Sequence, residues 1–359
     1  MNTTIEVLGY AREIAWLPWA VQYFFLIGIS VSAFFLSLPG LILGRNEWRP
    51  ISRRALLVAL VGGMTAPVAL LADLHQPGRF LNFYLHPNFN SWMARGAFFI
   101  PLYLLGLFLY AWVSLRPHLA AMERRCVPGT SLAALYRLAA YGGHANIRAA
   151  RIAAAVAALG GILVLVYTGM EVMVLRSRSL WNTPVLPLLF AVSALGGGLG
   201  MTSLFEAMSR KRASAPLLNR WIAGSQWATL ALLTVWLLSG VTGLSATAAD
   251  VVAATRHSFG WALTCAWLFG TTIVTLWLAR TRRDSLILTG LLAVQGAWLV
   301  RWIMFIGGQG IPKIGATFSM YFLNMSPDSV LGMLGTSGLF LFIYIFLTSF
   351  IPWDEQAVA

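Results

Sequence analysis

Asp73, His75, Glu171 and Gln22 are the side chains of this sequence best suited to chemistry, because each lies inside or at the end of a long apolar run. An ionisable group inside a bilayer costs roughly 2.5–3.5 kcal/mol on insertion scales, so such groups mark sites by default. Around them stand aromatic and amide neighbours: Trp16, Tyr23, Trp92 and, further along, Arg95, Arg301, Gln309 and Lys313. This mixture suits the oxidation of a hydroquinone, which gives up two electrons and two protons. Each hydroxyl needs a proton acceptor, and a carboxylate shielded from bulk water is a better base than one in solution. Asp73 is the first choice for that acceptor and His75 the next. Gln22 or Tyr23 would hydrogen-bond a ring oxygen, with Trp92 among the aromatic walls.

Each of these residues also has a purely structural reading. Asp73 pairs equally well with Arg95 or caps a loop. Glu171 has Arg176, Arg178 and Arg301 as partners for an ion-pair brace. His75 reads also as a plain interfacial residue, and Gln22 as an interhelical hydrogen bond. Glu206 sits beside Arg210, Lys211 and Arg212, where pairing competes with a place on a proton path from the other side.

The elements that must position these residues are transmembrane helices. Apolar residues make up 58% of the 359 residues and charged residues 10%, against about 25% charged in a soluble domain; the mean hydropathy is +0.75. Runs of about twenty apolar residues define a span. They place nine, near 17–43, 54–74, 91–115, 150–173, 184–208, 219–243, 258–279, 285–306 and 330–351. The expected fold is an all-α integral membrane bundle forming one domain over 1–359. Residues 1–16 are expected as a short surface helix outside the membrane. Arg301 interrupts the eighth run. Pro67 and Pro187 within spans are read as kinks.

The net charge of +13 does not point to nucleic acid, since the bases lie in short loops. Most of them fall in 44–54, 116–151, 209–220 and 280–284. By the positive-inside rule that side is cytoplasmic. The N-terminus is then periplasmic and the C-terminus, with Asp354 and Glu355, cytoplasmic. Asp73, Glu171 and Gln22 gather toward the outer face, at an edge of the membrane. A transporter site would instead lie near the midplane on broken helices. Histidines occur at 75, 86, 118, 144 and 257, away from the middle of any span, so no haem ligation between helices is expected. The two cysteines, Cys126 and Cys265, form no cluster motif, so neither an iron–sulfur centre nor a metal site is expected in this chain. Electrons released at such a site must pass to a docked protein that has redox centres of its own.

The chain resembles the NrfD/PsrC-type membrane subunits of polysulphide reductase-class molybdenum oxidoreductases. The resemblance rests on the run from Ala72 to Phe80 after the second span and on Ser91-Trp92-Met93 opening the third. It is most similar to the tetrathionate-type branch. The supporting stretches are Trp16 to Phe25, Thr65-Ala66-Pro67, Thr168 to Val172, Ser239 to Thr242, Arg301-Trp302 and Pro312-Lys313. The resemblance implies an inner-membrane subunit that oxidises menaquinol or ubiquinol near the periplasmic face. It would be an enzyme only as part of a complex. Its implied partners are a periplasmic ferredoxin-like subunit with four iron–sulfur clusters and a molybdopterin catalytic subunit, working on tetrathionate, another sulfur oxyanion or polysulphide. By position Gln22 and Asp73 fall where the family places its quinone-site residues. The alternatives are the same site reducing quinone in an arsenate, thiosulfate or sulfite complex, a secondary transporter, and a passive anchor.

Overall fold

In the computed structural model, the described residues are 14–74, 76–142, 145–208, 214–282, 284–311, 318–319, 321–351 and 353. Nine helices among them are long and apolar enough to cross a membrane. They are α1 (Pro18–Leu41), α2 (Arg49–Asp73), α4 (Trp92–Arg125), α6 (Ile147–Met173), α7 (Val185–Ala207), α8 (Ala215–Val241), α10 (Phe259–Thr281), α11 (Ile287–Trp302, continued to Gly310) and α13 (Val330–Phe350). Three shorter helices lie between spans: α3 (Asn82–Leu85), α5 (Ser131–Ala139) and α9 (Ala246–Thr255). Beyond α11 the chain makes a π-helical turn, Ile303–Gly307, and a last turn α12 (Gly308–Gly310).

Every expected span is present, with shifted ends. Helix α2 begins at Arg49 instead of 54, because Pro50 sits at its first turn, where a missing N–H costs nothing. Helix α4 continues to Arg125, ten residues past the apolar limit at 115, and its last turn holds Arg124 and Arg125. Hydrophobicity locates the part of a helix in lipid and is blind to a solvated extension. Residues 14–17 are not helical, which corrects the surface-helix expectation for that part; 1–13 lie outside the described residues.

Two four-helix groups and α13, which packs on α2 and α1, make up the bundle. In the first, α1 packs on α2, α2 on α4, α4 on α6 and α6 on α1; in the second, α7, α8, α10 and α11 close a similar ring. Helix α1 is the hub. It also touches α7, α11 and α13, and it is buried along most of its length. Close crossings rest on small residues, as is general in lipid. A Cβ on Gly106 would lie 2.7 Å from the Ala157 Cα, and one on Gly160 2.5 Å from the Tyr103 nitrogen. In the second group Gly200 and Gly290 make the matching approach between α7 and α11.

Polar side chains in the spans are tied internally. Ser30 meets the Tyr103 hydroxyl at 2.8 Å, and Ser37 meets Tyr110 at 3.1 Å, one heptad further along both α1 and α4. Arg301 is 2% exposed. It donates to the Phe190 carbonyl at 2.7 Å, to Ala297 at 3.2 Å and to Ser193, and it lies over the Phe190 ring. Backbone carbonyls, a hydroxyl and a ring face thus offset the cost of a buried cation. Of the three arginines offered as alternative braces for Glu171, Arg301 makes these bonds instead.

Candidate functional site

Asp73 closes α2 and Glu171 lies near the last residue of α6, so both stand at the end of the bundle where α1 and α4 begin. They line one cavity of about 260 Å³. Its walls come from Trp16 before α1, Phe24 on α1, Pro67 and Leu70 on α2, Met93 to Leu104 on α4, and Tyr167 on α6. Pro67 and Pro101 lack the N–H that would complete a helical hydrogen bond, and both face the cavity. Phe80, Phe83 and Tyr84 from the α2–α4 connection form the lip. The Tyr84 hydroxyl donates to the Ala97 carbonyl at 2.9 Å and ties the lip to α4. Partial burial raises the Tyr84 phenol above its ordinary range.

The polar part of this cavity is narrow. Glu171 is 8% exposed and lines the same cavity as Asp73. Tyr167 sits between Glu171 and Tyr23 and interacts with both. The Glu171 Oε2 atom is buried and has no hydrogen-bond partner among the described residues. The arrangement is therefore two carboxylates with two phenols behind them, in an otherwise apolar and aromatic cavity. Such a site can bind a ring that carries hydroxyls or carbonyls and accept its protons. Among the described residues no group of three or more His, Cys, Asp or Glu comes together.

The other expected residues fall outside this cavity. Gln22 is buried and turned toward α13, donating to Thr336 Oγ1 at 3.1 Å and to the Met333 carbonyl at 3.4 Å. It is an interhelical tie between first and last spans, and it does not line the cavity that holds Asp73. Tyr23 stands behind Tyr167, one layer from the cavity. Trp92 carries the Arg95 guanidinium over its ring at 4.5 Å, and Arg95 Nε donates to the Phe89 carbonyl at 2.6 Å. Arg95 thus braces the turn before α4, and the alternative reading in which it pairs with Asp73 is not what these contacts show. Glu206, at the far end of the bundle, accepts from Ser214 at 2.5 Å and lies 3.7 Å from Arg54 on α2. Its arginine comes from another helix; Arg210, Lys211 and Arg212 lie outside the described residues, as do His75, Lys313, Asp354 and Glu355.

Gln309 is the contributor that sequence reasoning left without a task. Its Oε1 accepts from the Ala15 and Trp16 amides, both at 2.9 Å, and its Nε2 donates to the Trp16 carbonyl at 2.8 Å. This clamp holds Trp16 against Trp181 and Phe305, with ring centroids 5.4 and 5.1 Å away. The π-helical turn takes part, since the Met304 carbonyl accepts from Trp181 Nε1 at 2.5 Å; π turns free such carbonyls and recur at functional sites. Gln309→Ala is expected to free the 14–17 segment and raise the substrate KM several-fold with a smaller change in kcat, measured by steady-state turnover of the assembled complex.

Gly96 leaves room for the Tyr167 ring, because a Cβ there would overlap it. Gly96→Ala is therefore expected to displace Tyr167 and lower turnover about ten-fold or more, without removing any polar group. Unchanged turnover in this variant would mean that Tyr167 has no part in the site.

The match to known proteins covers most of the chain. Residues 6–313 fit the family model described as polysulphide reductase, NrfD. The chain is 33% identical to a subunit of the tetrathionate reductase of Salmonella typhimurium, over 95% of this chain and 94% of that one. It is 23% identical to a subunit of the selenate reductase of Mesobacillus selenatarsenatis, over 86% and 77%. It is 30% identical to one chain of the polysulfide reductase of Wolinella succinogenes, over 55% and 60%. A family match over most of the length, in a chain with nine membrane-length apolar helices among its described residues, makes this chain a member of the polysulphide reductase NrfD family of multi-pass membrane proteins.

Proposed function

We propose that the cavity beside Asp73 and Glu171 oxidises a membrane quinol, menaquinol or ubiquinol, and that this chain is the quinol-dehydrogenase subunit of a sulfur-oxyanion or polysulphide reductase complex. The observation that carries this reading is two carboxylates, Asp73 and Glu171, lining one otherwise apolar cavity at one end of the bundle. Carboxylates shielded from bulk water supply the proton acceptors that the two hydroxyls of the ring need. Tyr167 positions Glu171, while Trp16, Phe24 and Met93 hold the ring and exclude water. The tail would lie along Leu70, Ile100 and Leu104 toward the bilayer. The two electrons leave to an iron–sulfur protein docked over the Phe80–Tyr84 lip, and a molybdopterin subunit beyond it would reduce the terminal acceptor.

The bases at the opposite end of the bundle, among them Arg45, Arg49, Arg124 and Arg125, support a cytoplasmic assignment for that end. The site end is then periplasmic. The similarity to the Salmonella protein favours tetrathionate as the acceptor of the complex. Photolabelling of the membrane complex with an azido-quinone tests the site. Label is expected on peptides covering Pro67–Leu104 and Tyr167–Glu171. Label confined to α8 and α10, or absent under turnover, would remove the reading.

A further inference from the structure

The base-rich stretch between the third and fourth spans returns to the membrane after leaving it. Helix α4 runs on to Arg125, the chain turns, and α5 (Ser131–Ala139) comes back toward the bundle. Two hydrogen bonds fix how far it comes. Trp112 Nε1, within the apolar part of α4, donates to the Ala139 carbonyl at 2.8 Å. The Tyr136 hydroxyl donates at 2.8 Å to the carbonyl of Phe350, the last residue of α13. The final turn of α5 therefore stands at the depth where two spans leave the hydrocarbon.

Its two faces differ. Ala133 and Tyr136 are buried against the bundle. On the outward face Leu135 and Leu138 are exposed, Leu138 by 74%, and Tyr141 just beyond the helix is 77% exposed. An apolar patch left open marks an interaction surface. A soluble partner has no access at this depth, whereas a helix with one apolar face and flanking bases is suited to the boundary between headgroups and acyl chains.

The crossing of α4 and α6 puts bases at the same level. Gly106 lies against Ala157 and Tyr103 against Gly160, so the two helices run antiparallel in a fixed register. That register brings Arg151 level with Trp112 and Arg148 level with Leu115, and both arginines are exposed. From Arg116 to Arg151 the sequence has six arginines and one acidic residue, Glu123, which already accepts from Arg137 Nε at 2.9 Å.

We propose that α5 and the start of α6 form a binding surface for anionic phospholipid, at the end of the bundle opposite the Asp73–Glu171 cavity. Acyl chains pack on Leu135, Leu138 and Tyr141, and the phosphates rest on Arg148 and Arg151. Zwitterionic lipid would make the same apolar contact and leave the surplus positive charge without a counterion, so the bases select the headgroup. This inference is independent of the reading of that cavity.

Site-specific photocrosslinking in vesicles tests it. The full-length chain, with p-benzoylphenylalanine in place of Leu138, is reconstituted in equal amounts of dioleoylphosphatidylglycerol and dioleoylphosphatidylcholine. Mass spectrometry of the labelled peptide identifies what has been captured. Lipid adducts are expected, with phosphatidylglycerol favoured several-fold. The same probe in place of Leu341, exposed in the middle of α13, should capture both lipids about equally and reports that the bundle is folded. Arg148→Gln with Arg151→Gln should bring the ratio at Leu138 down to that at Leu341. Adducts at Leu341 with none at Leu138, capture of a second copy of the chain at Leu138, or a ratio there that the arginine substitutions leave unchanged would overturn the proposal.

Discussion

Replacing Asp73 by Asn is expected to lower quinol-dependent reduction by about 10²–10⁴-fold, the usual contribution of a positioned general base, with the complex still assembled. Asn keeps the shape of the side chain and removes one of the two carboxylates that line the cavity. The measurement is quinol-driven turnover of the complex, compared with turnover from an artificial electron donor that feeds the soluble subunits directly. The second rate should be unchanged. Loss of both would mean a failure of assembly, and loss of neither would make the chain a passive anchor. Glu171→Gln is expected to act on the same step. The double variant should then fall well short of the product of the two single losses, because groups that act as a unit are not additive.

Gly106→Val has the largest expected effect on the fold. A Cβ at this position would lie 2.7 Å from the Ala157 Cα and closer still to its nitrogen. Those are backbone atoms in the middle of α6, so no side-chain rotation relieves the contact and the helices must separate. Overpacking a core costs typically about 1–3 kcal/mol, and a backbone clash lies at the upper end or beyond. A loss of that size lowers the ratio of folded to unfolded protein by about 10–100-fold. The yield of monodisperse protein and the unfolding midpoint in detergent should both drop. Gly270, on α10, has nothing within 4 Å of the place a Cβ would take. It provides the control: Gly270→Val should cost far less. The site depends on the same crossing as Gly106, since α4 and α6 bring Met93 and Ala97 opposite Tyr167 and Glu171.

The spans were legible because lipid imposes a length and a composition on any helix that crosses it. Arg301 did not hide the eighth span, and the structure shows why: carbonyls of Phe190 and Ala297 and the Ser193 hydroxyl receive its guanidinium. Asp73 and Glu171 were legible as polar residues near the ends of apolar runs, and the cavity unites them. Gln22 turns toward α13 and away from that cavity, which its surroundings in the sequence did not reveal. Helix α1 is apolar on nearly all its faces and buried on most of them, so no stripe in its sequence indicates which side chains meet α2, α6 or α13. Gln309 was illegible for another reason. Its partners Ala15 and Trp16 are backbone groups almost the whole chain away, and a backbone clamp leaves no trace in residue types.

Hydrophobic length and the distribution of charge thus determined, from sequence alone, how many helices are built to cross the bilayer and near which helix ends the acidic groups lie. Rotation of each helix about its axis, and therefore which groups meet, was decided by tertiary contacts such as Gly106 on Ala157 and Gly96 against Tyr167. Depth follows from the free energy of transfer, which a single segment already contains; azimuth follows from close packing, which exists only between segments.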